Sequence, residues 1–293
     1  MFKMKGVVPP MIVPFLENGE VDYDSLKTLT AFLKENVDGL FVTGSYGSGA
    51  MLTVEERMHI LSCVLKEVDG KIPVIAHVGT ADSLSAARLA EHASAIGAAA
   101  VSAVGPFYYK HNADGICAFY DAIMKASSVP VYVYNNPQFQ GYPMELSLLK
   151  RLKGNGISGI KDATFDIIQH ANYMRLLKDD EFDVALGTEA MWLSASVLGC
   201  KAFIPGIGNV FPEICKKMYD ESQEENYAAC RETQFQVNEL RDIMYLARST
   251  QLAVYAMLEL RGIIRAYPRS PFIPATAEEK EAIRARLRAL NML

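Results

Sequence analysis

The sequence predicts an α/β chain folded as a closed (β/α)8 barrel with a C-terminal three-helix extension, and three observations carry that expectation. From Gly6 to about Leu198, short apolar runs alternate with helical patterns at a spacing of roughly 20 to 30 residues, as βα units do. The strand-like runs number eight. The first unit lacks the GxGxxG turn that a nucleotide-binding, doubly wound sheet requires.

In chain order, the expected strands lie near Val7 to Ile12, Gly39 to Thr43, Val74 to His77, Ala99 to Val104, Val131 to Tyr134, Ser158 to Lys161, Val184 to Gly187 and Ala202 to Ile204. Start and stop signals mark the helices between them. Thr53-Val54-Glu55-Glu56 forms a capping box, Asp82 caps the next helix and Gly97 closes it, and Asp166 and Pro212 open two more. Past the eighth unit, residues from about Glu224 to Leu246, Leu252 to Arg265 and Ala277 to Leu290 read as helices with no strands between them. The expected division is a barrel over 1–222 and a helical extension over 223–293.

Composition narrows the function. Half the 293 residues are apolar, so one large domain buries roughly three quarters of its unfolded surface without cross-links. A net charge of -5 and a pI near 5.6 supply no basic stripe for nucleic acid or an anionic membrane. The five cysteines, Cys63, Cys117, Cys200, Cys215 and Cys230, form no CxxC pair and read as reduced thiols of a cytoplasmic protein. No stretch approaches 18 uninterrupted apolar residues, and the apolar run after Met1-Phe2-Lys3-Met4-Lys5 is broken by Pro9, Pro10 and Pro14, which suits a first strand better than a signal peptide.

Chemistry enters at the sixth strand, Ile157-Ser158-Gly159-Ile160-Lys161-Asp162, where a buried apolar run ends in a lysine. Burial disfavours the cation and drives the amine toward the neutral form that attacks carbonyls. The alternative is a lysine that reaches past the strand end to solvent or to Asp162.

In a barrel, the residues at the C-terminal strand ends form one set. Strand two ends in Gly44-Ser45-Tyr46-Gly47-Ser48-Gly49, whose amides and hydroxyls precede a helix start; it is either a plain turn or a carboxylate cradle. Strand four runs into Gly105-Pro106-Phe107-Tyr108-Tyr109, and strand five into Tyr134-Asn135-Asn136-Pro137. An amine, two phenols and a serine hydroxyl supply what imine chemistry needs: a nucleophile, and groups that move protons.

These motifs, together with the late Pro268-Arg269-Ser270-Pro271-Phe272, resemble the pyruvate-dependent class I aldolases typified by dihydrodipicolinate synthase and N-acetylneuraminate lyase, across nearly the whole chain. The resemblance implies a homotetramer in which Lys161 forms a Schiff base with pyruvate or another 2-oxo acid and Tyr134 transfers protons. It further implies that Ser45 links Tyr134 to Tyr108 from a neighbouring subunit, and that the amides of the Ser45-Tyr46-Gly47 loop hold the substrate carboxylate. Thr164, Phe139, Glu189 and Ile204 are its remaining expected substrate contacts, and no metal or organic cofactor is implied.

Two departures narrow the expectation. Tyr46 and Ser48 stand where the family usually has Thr or Gly and Glu, so the carboxylate site is expected to be reshaped. Phe139 stands where the synthase branch has an arginine for its second substrate's carboxylate, which points toward the sugar-acid lyases and 2-keto-3-deoxy-sugar-acid aldolases. Glu189, after strand seven, either grips a polyol hydroxyl or starts the next helix. Of the five histidines only His77 lies at a strand end, with no zinc-type spacing, and it reads as packing or solvent-bonded. A dehydratase using the same imine and a non-catalytic 2-oxo acid sensor are the alternative functions.

Overall fold

Strand pleat and a ring of parallel pairings set the architecture. The computed structural model describes residues 2–293. Its strands are β1 (Gly6–Val7), β2 (Leu40–Val42), β3 (Val74–His77), β4 (Ala100–Val104), β5 (Val131–Asn135), β6 (Gly159–Asp162), β7 (Asp183–Leu186) and β8 (Ala202–Phe203), all parallel in the order β1-β8-β7-β6-β5-β4-β3-β2. The two ends meet. Phe41 N–H donates to the Pro9 carbonyl at 3.0 Å and Met11 N–H to the Phe41 carbonyl at 2.9 Å, closing the barrel. The first strand is shorter than its apolar run because Pro9 and Pro10 have no N–H to give to a ladder.

Helices α1 (Tyr23–Lys34), α2 (Val54–Val68), α3 (Ser83–Ala95), α4 (Ala113–Ala126), α5 (Pro137–Gln140), α6 (Leu146–Gly154), α7 (Ile167–Leu176), α8 (Trp192–Val197) and α9 (Pro212–Gln223) follow the strands. The expected caps are in place: Thr53 and Glu56 form the reciprocal box, Asp82 accepts from the Ser85 amide, and Asp166 accepts from the Ile168 and Gln169 amides. The short α5 was not expected; Asn136 caps it by accepting from the Gln138 and Phe139 amides, with Pro137 in its first turn.

Alternation sorts the side chains into two cores. Outward residues such as Leu40, Val42, Val131, Val133 and Ile160 pack against the helices. Inward residues such as Phe41, Ile75, Ala100, Tyr132, Tyr134 and Ala185 fill the barrel. Parallel register places Tyr132, Gly159 and Asp183 in one layer and Tyr134, Lys161 and Ala185 in the next. Gly159 is dictated by the lower layer: a Cβ there would sit 2.5 Å from the Tyr132 ring and 2.7 Å from the Asp183 carbonyl.

Helices α10 (Tyr227–Ile243), α11 (Thr250–Leu260) and α12 (Ala277–Ala289) form the C-terminal extension. Tyr255 on α11 donates to the Val13 carbonyl at 2.6 Å. The Pro268-Arg269 segment is tied down as well: Arg269 makes a bidentate pair with Glu56 at 2.6 and 2.8 Å, and its Nε donates to the Gly19 carbonyl at 2.8 Å. Among the described residues, no helix is long and apolar enough to cross a membrane.

Gly159→Ala is expected to destabilise the chain by about 1–3 kcal/mol through overpacking. Gly154→Ala, where a Cβ meets nothing within 4 Å, is expected to be neutral or mildly stabilising. Chemical denaturation of both variants checks the pair.

Candidate active site

At the C-terminal end of β6, Lys161 is 3 % exposed, with Nζ 4.0 Å from the centre of the Phe41 ring and 3.8 Å from that of Tyr134. Among the described residues, no carboxylate lies within ion-pair distance of it. Burial lowers its pKa from the usual 10.5 to about 7. At about 1.4 kcal/mol per tenfold change, the charged form is disfavoured by roughly 5 kcal/mol. The alternative pairing with Asp162 does not occur. Asp162 points to the opposite face of β6, where Oδ2 lies 3.0 Å from His170 Nδ1 and Oδ1 accepts from the Thr164 amide and hydroxyl.

Tyr134 is Lys161's neighbour in register on β5. Its hydroxyl lies 3.4 Å from Ser45 Oγ and accepts from Asn136 Nδ2 at 3.3 Å. Burial raises its pKa, and the two hydrogen bonds pull it part of the way back. His77 lies beside Tyr134, with ring centroids 5.8 Å apart. It is buried and bonded within the protein, not to solvent: Nε2 accepts the Val104 amide at 3.1 Å, and Arg57 donates to its carbonyl. Burial first, and then the Arg57 and Lys161 charges, keep its pKa well below the ordinary value.

The loop after β2 is tightly wound. Thr43 and Ser48 both take left-handed backbone angles, φ +54° and +53°. A Cβ on Gly49 would sit 2.0 Å from the Thr43 carbonyl, and one on Gly47 3.0 Å from the Met11 carbonyl. Inside the loop, the Ser48 and Gly49 amides donate to the Ser45 and Gly44 carbonyls. The amides of Ser45, Tyr46 and Gly47 have no acceptor among the described residues. Gln251 of α11 holds the other side of this backbone, donating from Nε2 to the Ser45 and Tyr46 carbonyls at 3.0 and 2.7 Å. The peptide planes are thereby fixed with their N–H groups available to an anion.

Tyr46 is one of the residues that line the cavity. Its ring crosses to the β8 side, where the absence of a Cβ on Gly206 makes room, and its hydroxyl donates to Thr250 Oγ1 at 3.0 Å. The cavity between these walls has a volume of about 360 Å³; Lys161, Tyr134, Ser45, Phe139 and Ile204 line it. Phe139, on α5, is half exposed at the mouth.

Beyond the end of β7, the strand beside β6, Glu189 is buried and accepts the Gly206 amide at 3.0 Å. It does not cap α8, whose N-terminal flanking residue is Met191. Burial raises its pKa, against the pull of Arg241, whose Nε lies 3.5 Å from Glu189 Oε1.

Two expected residues lie elsewhere. Thr164 is turned away from the cavity because its hydroxyl is bound to Asp162, and Ala163 and Phe165 take the lining positions on either side. Tyr108 is 87 % exposed on the loop after β4, stacked edge-to-face on Tyr109, and does not reach the site of its own chain. Conversely, Asn136, Gln251 and Arg241 belong to the site without having been expected there. Asn136 lay inside a recognised motif, whereas Gln251 and Arg241 sit in ordinary amphipathic helices and leave no local signal.

Comparison with known proteins agrees with this geometry. Residues 3–290 match the model of the dihydrodipicolinate synthetase family. The 4-hydroxy-tetrahydrodipicolinate synthase of Archaeoglobus fulgidus is 30% identical over 290 residues, 99% of each chain. Among solved structures, dihydrodipicolinate synthase from Aquifex aeolicus superposes with a TM-score of 0.92 at 25% identity, covering 99% of both chains. A catalytic lysine mutant of Ruminococcus gnavus sialic acid aldolase superposes with a TM-score of 0.92 at 25% identity, covering 98% of this chain and 95% of that one. With nearly every residue matched, the chain belongs to the dihydrodipicolinate synthetase family and is a lyase of the pyruvate-dependent class I aldolase group.

Proposed function

We propose that the chain cleaves or forms the C3–C4 bond of a 4-hydroxy-2-oxo acid of the sugar-acid kind through a Schiff base at Lys161. The single observation that carries this reading is a dry, unpaired amine in van der Waals range of a phenol that is itself hydrogen-bonded to a serine. The neutral amine adds to the keto carbon, and the Tyr134 phenol gives its proton to the departing hydroxyl, so that water leaves and a cationic imine remains beside a phenolate. That cation draws electrons from C3, so the C3–C4 bond breaks as the 4-hydroxyl proton passes to a base. The Tyr134 phenolate takes that proton and returns it to C3 of the resulting enamine, and water then adds to the imine and releases pyruvate from the amine, its spare proton restoring the phenol.

In this reading the Ser45, Tyr46 and Gly47 amides hold the 2-oxo acid's carboxylate, and Ser45 relays protons to Tyr134. Tyr108, exposed and in a left-handed conformation at φ +78°, completes the relay in an adjoining subunit of a homotetramer. Phe139 places a benzyl group at the mouth, which favours a sugar-acid substrate, with Ile204 against the apolar part of the chain and Glu189 close to its hydroxyls. The names of the curated relatives favour synthesis of 4-hydroxy-tetrahydrodipicolinate as the second reading; against it, Phe139 offers no charged fork.

Borohydride reduction in the presence of pyruvate is expected to add a stable mass to the peptide carrying Lys161 and nothing to Lys161→Ala; peptide mass spectrometry decides, and an unlabelled peptide at saturating pyruvate would overturn the reading. Imine formation requires the neutral amine, whose pKa is about 7. Its rate is therefore expected to be level above pH 7 and to fall about tenfold per pH unit below it, as stopped-flow or trapping rates across pH 5 to 9 would reveal. Tyr134→Phe is expected to lower kcat by roughly 10²- to 10⁴-fold while the imine can still be trapped, as steady-state kinetics beside the same trapping assay would establish.

A further inference from the structure

Arg241 is a charged side chain of the cavity to which the proposed reaction gives no role. It reaches the site from α10, and its side chain is 21% exposed. Two aromatic rings lie near the guanidinium, with Cζ 5.5 Å from the centre of Phe165 and 5.2 Å from that of Tyr245. Its Nε faces Glu189 at 3.5 Å. Neither Nη has a hydrogen-bond acceptor among the described residues, although a guanidinium carries five donors.

Glu189, for its part, already accepts the Gly206 amide through its second oxygen. A purely structural ion pair would leave no reason for the guanidinium to line the cavity with its paired Nη edge unbonded. Such an edge is a planar fork for a carboxylate or a phosphate.

We propose that Arg241 is a specificity-determining residue that binds a terminal oxyanion group, carboxylate or phosphate, on the aldehyde half of the substrate. This rests on the reading of Lys161 as the imine-forming lysine, and it narrows the substrate to a 4-hydroxy-2-oxo acid with an acidic group at its far end. One acid is held at the β2 loop, the second at the α10 wall, and the breaking bond lies between them. Charge supports the arrangement. With the imine formed, the cavity holds two cations, the iminium and Arg241, against the single carboxylate of Glu189, a balance that suits a doubly anionic substrate.

The test pairs aldehydes that differ only in the terminal group, in condensation with pyruvate. Succinic semialdehyde against butyraldehyde reports on a carboxylate, and D-glyceraldehyde 3-phosphate against D-glyceraldehyde on a phosphate. In at least one pair the native protein is expected to favour the charged member by tenfold or more in kcat/KM, and the pair that does so identifies the group. In Arg241→Met that preference is expected to fall at least fivefold, chiefly through KM, with pyruvate still trapped by borohydride; Arg241→Lys, a cation without the fork, is expected to keep part of it. A native preference near one in both pairs, or a preference that survives in Arg241→Met, overturns the assignment. Should Arg241→Met lose trapping because the wall collapses, the ratio in Arg241→Lys decides: an undiminished preference overturns the assignment and a reduced one supports it. Failure of the native protein to trap pyruvate overturns the imine reading itself, a result distinct from trapping without discrimination.

Discussion

The rest of this structure depends on keeping one amine dry and without a counter-charge. A lysine in the barrel interior costs about 5 kcal/mol in lost preference for its charged form, a large fraction of a typical net stability. The strand pleat makes the arrangement possible. Because consecutive residues face opposite sides, Lys161 points in while Asp162, the nearest carboxylate in sequence, points out to His170. A shift of one residue in the register of β6 would exchange them, placing an acid beside Tyr134 and the amine among the helices. Gly159 helps to hold that register, since the space its side chain would occupy belongs to Tyr132.

Much of the fold was legible because each strand is a short apolar run bounded by turn residues, and the caps Thr53, Asp82 and Asp166 are local chemistry. Departures from expectation have equally local causes. Pro9 and Pro10 shorten β1, and Asn136-Pro137 starts a helix inside what read as a loop. In the site, Lys161, Tyr134 and Ser45 were legible because each ends a strand, and closure of the barrel brings strand ends together. Thr164 was misplaced because a residue just past a strand end is free to turn back, and Asp162 offers its hydroxyl a partner. Gln251 and Arg241 were illegible: their partners Ser45, Tyr46 and Glu189 lie far away in sequence, and only the docking of the extension joins them.

The loop after β2 shows how backbone strain is converted into function. Two residues with side chains, Thr43 and Ser48, occupy left-handed conformations that cost about 1–3 kcal/mol each. The winding they impose turns three consecutive amides away from their own chain, while Gln251 bridges the carbonyls behind them. Tyr46, the bulkiest departure from the family pattern in this loop, fits because Gly206 across the cavity gives it room, so the change at one wall is matched at another.

The bridge from Gln251 to the second strand's loop also bears on how the molecule comes into being. A ribosome delivers Lys161 long before α11, and until that late helix docks, the carbonyls of Ser45 and Tyr46 lack their Gln251 donor. Before the barrel closes over it, the lysine is hydrated and its charged form is favoured. The lowered pKa is therefore a property of the folded chain and is absent from the growing polypeptide.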